Sequence, residues 1–92
     1  MCPRVQADPS EIRRFLSNLK RFNQELDSIT RRLKSNLNAL GNSWRDTEYS
    51  KFQNEMNEML RVLARYRERS DQYANYLRKQ AENLERYLSA HL

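Results

Sequence analysis

Apolar residues recur along this chain at steps of three and four, in two long series separated by a short polar interruption. The first series runs Ile12, Phe15, Leu19, Phe22, Leu26, Ile29 and Leu33, and continues through Leu37 and Leu40 after a second step of four. Alternating steps of this kind lay a narrow apolar seam along one side of a helix, the pattern of a coiled coil. The second series reads Tyr49, Phe52, Met56, Met59, Leu63, Tyr66, Ser70, Tyr73, Leu77, Gln80, Leu84 and Tyr87, with Ser70 and Gln80 its only polar members. Each series predicts one long helix.

The residues at the boundaries agree. In Asp8-Pro9-Ser10-Glu11, the aspartate can accept from orphan N–H groups, the proline lacks one of them, and the glutamate can reach back to the cap. Gly41, the only glycine, follows the last apolar residue of the first series, where a left-handed C-cap belongs. Ser43, Asp46 and Thr47 are each able to cap the second helix, and an early start with Trp44 already near-helical is the favoured reading. No proline or glycine follows to break it. The fold class is therefore all-α: an antiparallel two-helix hairpin with helices over about 9–40 and 44–90, a turn at 41–43 and a flexible N-terminus at 1–8, all in a single domain of residues 1–92.

A turn that short sets a register in which facing residue numbers sum to about 85. Phe22 then faces Leu63, Leu26 faces Met59, Leu33 faces Phe52 and Phe15 faces Ser70. The expected hairpin core is Phe15, Leu19, Phe22, Leu26, Ile29, Leu33, Met56, Met59, Leu63 and Tyr66. In this register the second helix outruns the first near Tyr76, leaving Leu77, Leu84, Tyr87, Leu88 and Leu92 uncovered. Leu16, Leu37, Leu60, Tyr76 and Leu88 widen the stripe beyond what one neighbouring helix can cover. Together these predict a partner interface at Leu16, Leu37, Leu60, Tyr76, Leu77, Leu84, Tyr87 and Leu88. A second hairpin, either another copy or a sibling, would complete a four-helix-bundle dimer.

Composition narrows the chemistry. Ninety-two residues with one cysteine, Cys2, and one histidine, His91, offer no disulfide framework and no cysteine-based metal site, so neither metal nor cofactor is expected. Both residues lie in terminal segments, which leaves no nucleophile–base arrangement and argues against an enzyme. The carboxylate pairs Glu55/Glu58 and Glu82/Glu85 have helix-surface spacing among arginines and read as solvated faces. A net charge of +5 raises a basic helical nucleic-acid-binding protein as the second reading. Basic and acidic residues are interleaved along both helices and the aromatics occupy the seams, which leaves few rings free to stack on bases. No stretch approaches the length of a membrane span, and the N-terminus has no apolar signal-peptide core. The expected location is the cytoplasm, or outside the cell by a route that reads no cleavable signal.

The turn carries the one recognisable motif. Leu40 lies four residues before Trp44, and Asp46, Tyr49 and Phe52 follow, with Phe52 eight residues beyond the tryptophan. This resembles the WXG (Trp-x-Gly) family of small helical hairpins exported by type VII secretion systems. Asp46 stands where that family has glycine, as in a divergent branch, and Glu48 where a small residue is usual. The resemblance implies a dimer of hairpins in a four-helix bundle, no enzymatic activity, and an association with a larger secreted partner. It also implies an export signal of tyrosine followed four residues on by an acid. Tyr66, Tyr73, Tyr76 and Tyr87 are followed by Ser70, Leu77, Gln80 and His91 instead, so a partner would supply that signal.

Overall fold

The computed structural model describes residues 7–90 and consists of two helices, α1 (Pro9–Leu40) and α2 (Thr47–Ala90), packed against each other as an antiparallel hairpin. Their lengths are 32 and 44 residues. No strand occurs among the described residues. At 1.5 Å per residue α2 alone reaches about 66 Å, matching the 68 Å long axis of the molecule. Of the expected flexible segment 1–8, only Ala7 and Asp8 fall among the described residues; Cys2, His91 and Leu92 lie outside them.

Asp8 caps α1 by accepting from the Ser10 N–H at 2.9 Å and from the Ser10 hydroxyl at 2.7 Å, with Pro9 beginning the helix. Glu11 does not return to the cap; it turns to Arg14, one helical turn along, at 3.2 Å. At the other end Gly41 is not left-handed: its φ and ψ are −62° and −18°, and no residue has a positive φ among those described. The last carbonyls of α1 are satisfied by right-handed turns, with the Asn42 N–H donating to Ala39 and the Ser43 and Trp44 N–H groups donating to Leu40.

Helix α2 starts at Thr47, three residues later than the early start at Trp44. The Asp46 carboxylate accepts from the Tyr49 N–H at 3.1 Å, and the Asp46 carbonyl accepts from Ser50. An acceptor one residue before the helix satisfies a first-turn donor that Trp44 has no side-chain oxygen to meet. The connection is thus Gly41–Asp46, three residues longer than expected, and in mid-hairpin the register differs from the expected one. Asn23 bonds Ser70 and Asp71, Asp27 bonds Arg67, and Arg13 bonds Glu85, so facing numbers sum to about 94 along the middle of the hairpin. The expected pairings of Phe22 with Leu63 and of Phe15 with Ser70 are replaced. Helix α1 accompanies α2 as far as Glu85, so Leu77 and Leu84 are half-buried against it rather than overhanging beyond Tyr76.

The seam itself is rotated from the expected one. The rows Ile12, Leu19, Leu26, Leu33 and Met56, Leu63, Ser70, Leu77, Leu84 face inward. Between them, Leu16, Asn23, Thr30 and Leu37 of α1 turn inward in place of Phe15, Phe22 and Ile29. On α2, Gln53, Leu60, Arg67, Ala74 and Ala81 take the places expected of Phe52, Met59, Tyr66, Tyr73 and Gln80. Leu16 and Leu37, expected at a partner interface, are each only 4% exposed and belong to the hairpin's own core; Leu60 is half-buried in it. Small residues explain the choice: Ser70, Ala74 and Ala81 are buried and let the backbones approach closely where larger rings would hold them apart.

Candidate functional site

Rotating the seam leaves an apolar face outside. Phe15, Phe22 and Ile29 on α1 are 60%, 46% and 55% exposed, and on α2 Phe52, Met59, Tyr66, Tyr73 and Tyr87 are also exposed. Each row keeps a step of seven residues, broken only at Gln80, and each lies one residue before an inward row. One residue is 100° about a helix axis. Because the helices run antiparallel, that displacement carries both rows to the same side of the hairpin. Val62 and Tyr76, each three residues after a member of the α2 row, widen the same face and are exposed. Leu88, 43% exposed, lies near the end of α2. The result is a continuous apolar strip along one side, with its floor formed by Leu19, Leu26, Met56 and Leu63.

The opposite side is polar. A shallow cleft there is bounded by Lys20, Gln24, Asp27, Arg31, Arg67 and Asp71. Asp27 accepts from Arg67 across the hairpin and pairs with Arg31 at 3.0 Å along its own helix, while its carbonyl accepts from the Thr30 hydroxyl. Beside it, buried Asn23 accepts from the Ser70 hydroxyl at 2.7 Å and donates to the Asp71 carboxylate at 3.0 Å. Among the described residues no buried side-chain nitrogen or oxygen lacks a hydrogen-bond partner. Hydrophobicity alone does not reveal this polar layer, although Leu16–Asn23–Thr30–Leu37 repeats every seven positions as strictly as Phe15–Phe22–Ile29 does.

Farther along, Arg13 donates twice to Glu85, at 2.7 Å each. Those bonds hold the Glu85 carboxyl below its ordinary value and raise the Arg13 guanidinium. The Ser10 hydroxyl likewise lowers Asp8, and the Arg61 guanidinium lowers Glu58. A depressed carboxyl stabilises the fold above its ordinary value, and the contribution is lost as pH falls through the folded value. The cap of α1 and the tie at the open end thus weaken together in acid. Glu82 pairs with Arg78 at 2.8 Å, so the carboxylates of the two glutamate pairs are engaged by arginines, except Glu55. Among the described residues no group of acidic, histidine or cysteine side chains is arranged to hold a metal ion. No described helix is long and apolar enough to cross a membrane.

At the corner, Trp44, Tyr49 and Phe52 form an aromatic cluster. The Trp44 ring lies 5.6 Å from Tyr49 in a tilted arrangement and 6.0 Å from Phe52 in a stacked one. Tyr49 is buried and donates its hydroxyl to the Leu37 carbonyl at 2.6 Å, tying the first turn of α2 to the last turn of α1. Gly41 is small for this reason. A Cβ there would sit 2.8 Å from the Tyr49 hydroxyl oxygen and 3.0 Å from ring carbons. Gly41→Ala should therefore destabilise the hairpin by about 1 kcal/mol, the lost hydrogen bond outweighing the helical preference of alanine. In a Tyr49→Ala background the same substitution should become neutral or stabilising. Thermal melts of the four chains check this reversal of sign.

Two antiparallel helices, an aromatic corner built on a tryptophan and an aspartate cap, and one long apolar side define a small helical-hairpin protein. The sequence model of the WXG100 family, proteins of 100 residues with WXG, matches residues 4–87, and the chain belongs to that family. Its members are small, non-enzymatic helical proteins, secreted by type VII systems and usually engaged in secretion-related protein–protein interaction; they typically dimerise. Neither the curated proteins nor the solved structures yield a match to the chain. In this member Asp46 occupies the motif's glycine position, and its carboxylate makes the cap that starts α2.

Proposed function

We propose that this chain is a non-enzymatic interaction module whose apolar face receives a second helical hairpin, completing a four-helix bundle, and that it is exported with, or serves as adaptor for, a larger partner. The observation that carries the reading is the pair of exposed heptad rows on one side. Fully burying a side chain of this size contributes about 1.5–3 kcal/mol, and a strip from Phe15 to Ile29 on α1 and from Phe52 to Tyr87 on α2 exceeds the scattered apolar exposure ordinary for a monomer. The expected partner residues Tyr76, Tyr87 and Leu88 remain in this proposal. Phe15, Phe22, Ile29, Met59 and Tyr66 join them, while Leu16 and Leu37 leave it.

Polarity of the other side supports the same assignment, since its charged groups are satisfied largely within the hairpin and it stays wet. Sedimentation equilibrium at micromolar concentration tests the reading. The expected result, with the chain alone or mixed with a sibling hairpin, is an assembly near twice the 11.2 kDa chain mass. Monomers at every concentration and in every mixture would overturn it.

A further inference from the structure

The polar side of the hairpin is unevenly charged along its length. Towards the open end its cations are paired one to one, Arg13 with Glu85 and Arg78 with Glu82. Nearer the turn the balance fails. A second cleft, of about 530 Å³, shares Asp27, Arg31 and Arg67 with the first and is lined by four cations, Arg31, Lys34, Arg61 and Arg67, against one anion, Asp27. That one carboxylate serves both Arg31 and Arg67. Arg61 pairs with Glu58 on its own helix, an exposed contact that holds its cation weakly. Lys34 makes no ion pair or hydrogen bond among the described residues. Positive charge is therefore in surplus, and a cleft lined by one sign of charge focuses its field on a ligand of the other.

The remaining groups of the cleft describe its ligand. Leu60, half-buried, and Ala64 give it an apolar patch between the cations. Asn38 and Asn57 also line it and make no hydrogen bond among the described residues, so each amide is able to donate and accept. Such amides suit a peptide backbone with unpaired N–H and C=O groups, whereas the backbone of a helix is satisfied internally. From Asp27 to Asn38 the cleft extends about 16 Å, which an extended chain covers in about five residues. Nucleic acid is a poorer match. The exposed rings of Phe15, Phe22, Tyr66 and Tyr73 lie on the opposite side, leaving bases nothing to stack on. Asp27 would repel an unbroken run of phosphates, whereas a peptide is able to set a neutral residue beside it.

We propose that this cleft receives a short, extended acidic segment of a partner protein, with its carboxylates on Arg31, Lys34 and Arg61 and an apolar residue between them over Leu60 and Ala64. The guanidinium groups supply forked donors that match a carboxylate, and Lys34 supplies a mobile point charge. The cleft lies opposite the apolar face, so the inference stands apart from the assembly of hairpins. A chain that sediments as a monomer should bind the segment as well as a dimer does.

Fluorescence anisotropy with a labelled Glu-Asp-Leu-Asp-Glu peptide, capped at both ends, tests this on the full chain. At about 0.1 M salt, charges more than about 10 Å from the peptide are largely screened. The acidic peptide should bind, and its neutral counterpart Gln-Asn-Leu-Asn-Gln should not. Arg31→Gln/Lys34→Gln should weaken binding about tenfold. Arg21→Gln/Arg65→Gln removes the same charge outside the cleft and should weaken it less than about twofold. All four positions are exposed, so helicity should be unchanged in both variants.

Equal weakening by the two pairs would overturn the inference, reducing the cleft to part of a diffuse basic surface. Absence of binding at about 1 mM peptide would overturn it outright. Tighter binding of a labelled oligothymidylate, with the cleft pair again the sensitive one, would overturn it in favour of nucleic acid. None of these results bears on whether the apolar face receives a second hairpin.

Discussion

Leu16→Asp unfolds the hairpin, whereas Phe15→Asp leaves it helical: that is the expected outcome of placing one carboxylate at two adjacent positions. Leu16 is 4% exposed and Phe15 is 60% exposed. A carboxylate in place of Leu16 is carried into the buried seam, and a buried charge without a partner costs about 3–5 kcal/mol. A domain of this size has little stability in reserve, since small chains bury a smaller fraction of their surface. Phe15→Asp meets water instead and should change the stability of the isolated hairpin by less than about 0.5 kcal/mol. Circular-dichroism melts at low concentration read both. If the seam instead ran through Phe15, Phe22 and Ile29, the two results would exchange places, which makes this pair of variants a direct measurement of helix rotation.

The second large effect concerns assembly. Phe22→Glu combined with Tyr66→Glu puts two carboxylates in the middle of the apolar face, at side chains 46% and 57% exposed in the hairpin. In a docked pair each position would be desolvated against a large apolar neighbour. Losing two such burials, at about 1.5–3 kcal/mol each and 1.4 kcal/mol per tenfold in affinity, should weaken association by at least about a hundredfold. Helicity should survive, because neither residue lies in the seam between α1 and α2. Gln24→Glu, exposed beside the polar cleft, is the matching control and should leave association unchanged. A double variant that sediments like its parent would remove the apolar face from the assembly.

The architecture was legible in the sequence for a physical reason. Two runs of three-and-four spacing, an Asp-Pro helix start, a single glycine and a tryptophan beside it leave one solution, and that solution is the fold. The rotation of each helix was not legible in the same way. At 15/16, 22/23 and 29/30 the chain offers adjacent candidates for one seam position, and hydrophobicity selects Phe15, Phe22 and Ile29. The hairpin selects Leu16, Asn23 and Thr30. The seam favours side chains that fit and bond: Ser70, Ala74 and Ala81 give close approach, and Ser70 and Asp71 satisfy Asn23.

Chemistry at the turn accounts for only about three of the nine positions by which facing numbers rise in mid-hairpin. Asp46, not Trp44, meets the first orphan donor of α2, and three more residues of connection slide one helix along the other. Gly41 taught the same lesson on a smaller scale. Its lack of a side chain answers to the ring of Tyr49, whereas a C-cap glycine is ordinarily explained by its backbone angles.

The bonded layer of Asn23, Ser70 and Asp71 governs more than the hairpin's interior. Were α1 to slip along α2 by one heptad, Asn23 would be stranded opposite Leu63 or Leu77 with its amide starved of partners, so the slipped state is suppressed. Phe22 and Tyr73, carried on different helices, are therefore held at a constant latitude on the outer surface. A visiting helix meets a ruler whose divisions do not wander, and the selectivity of what it reads there is inherited from an amide that it never touches.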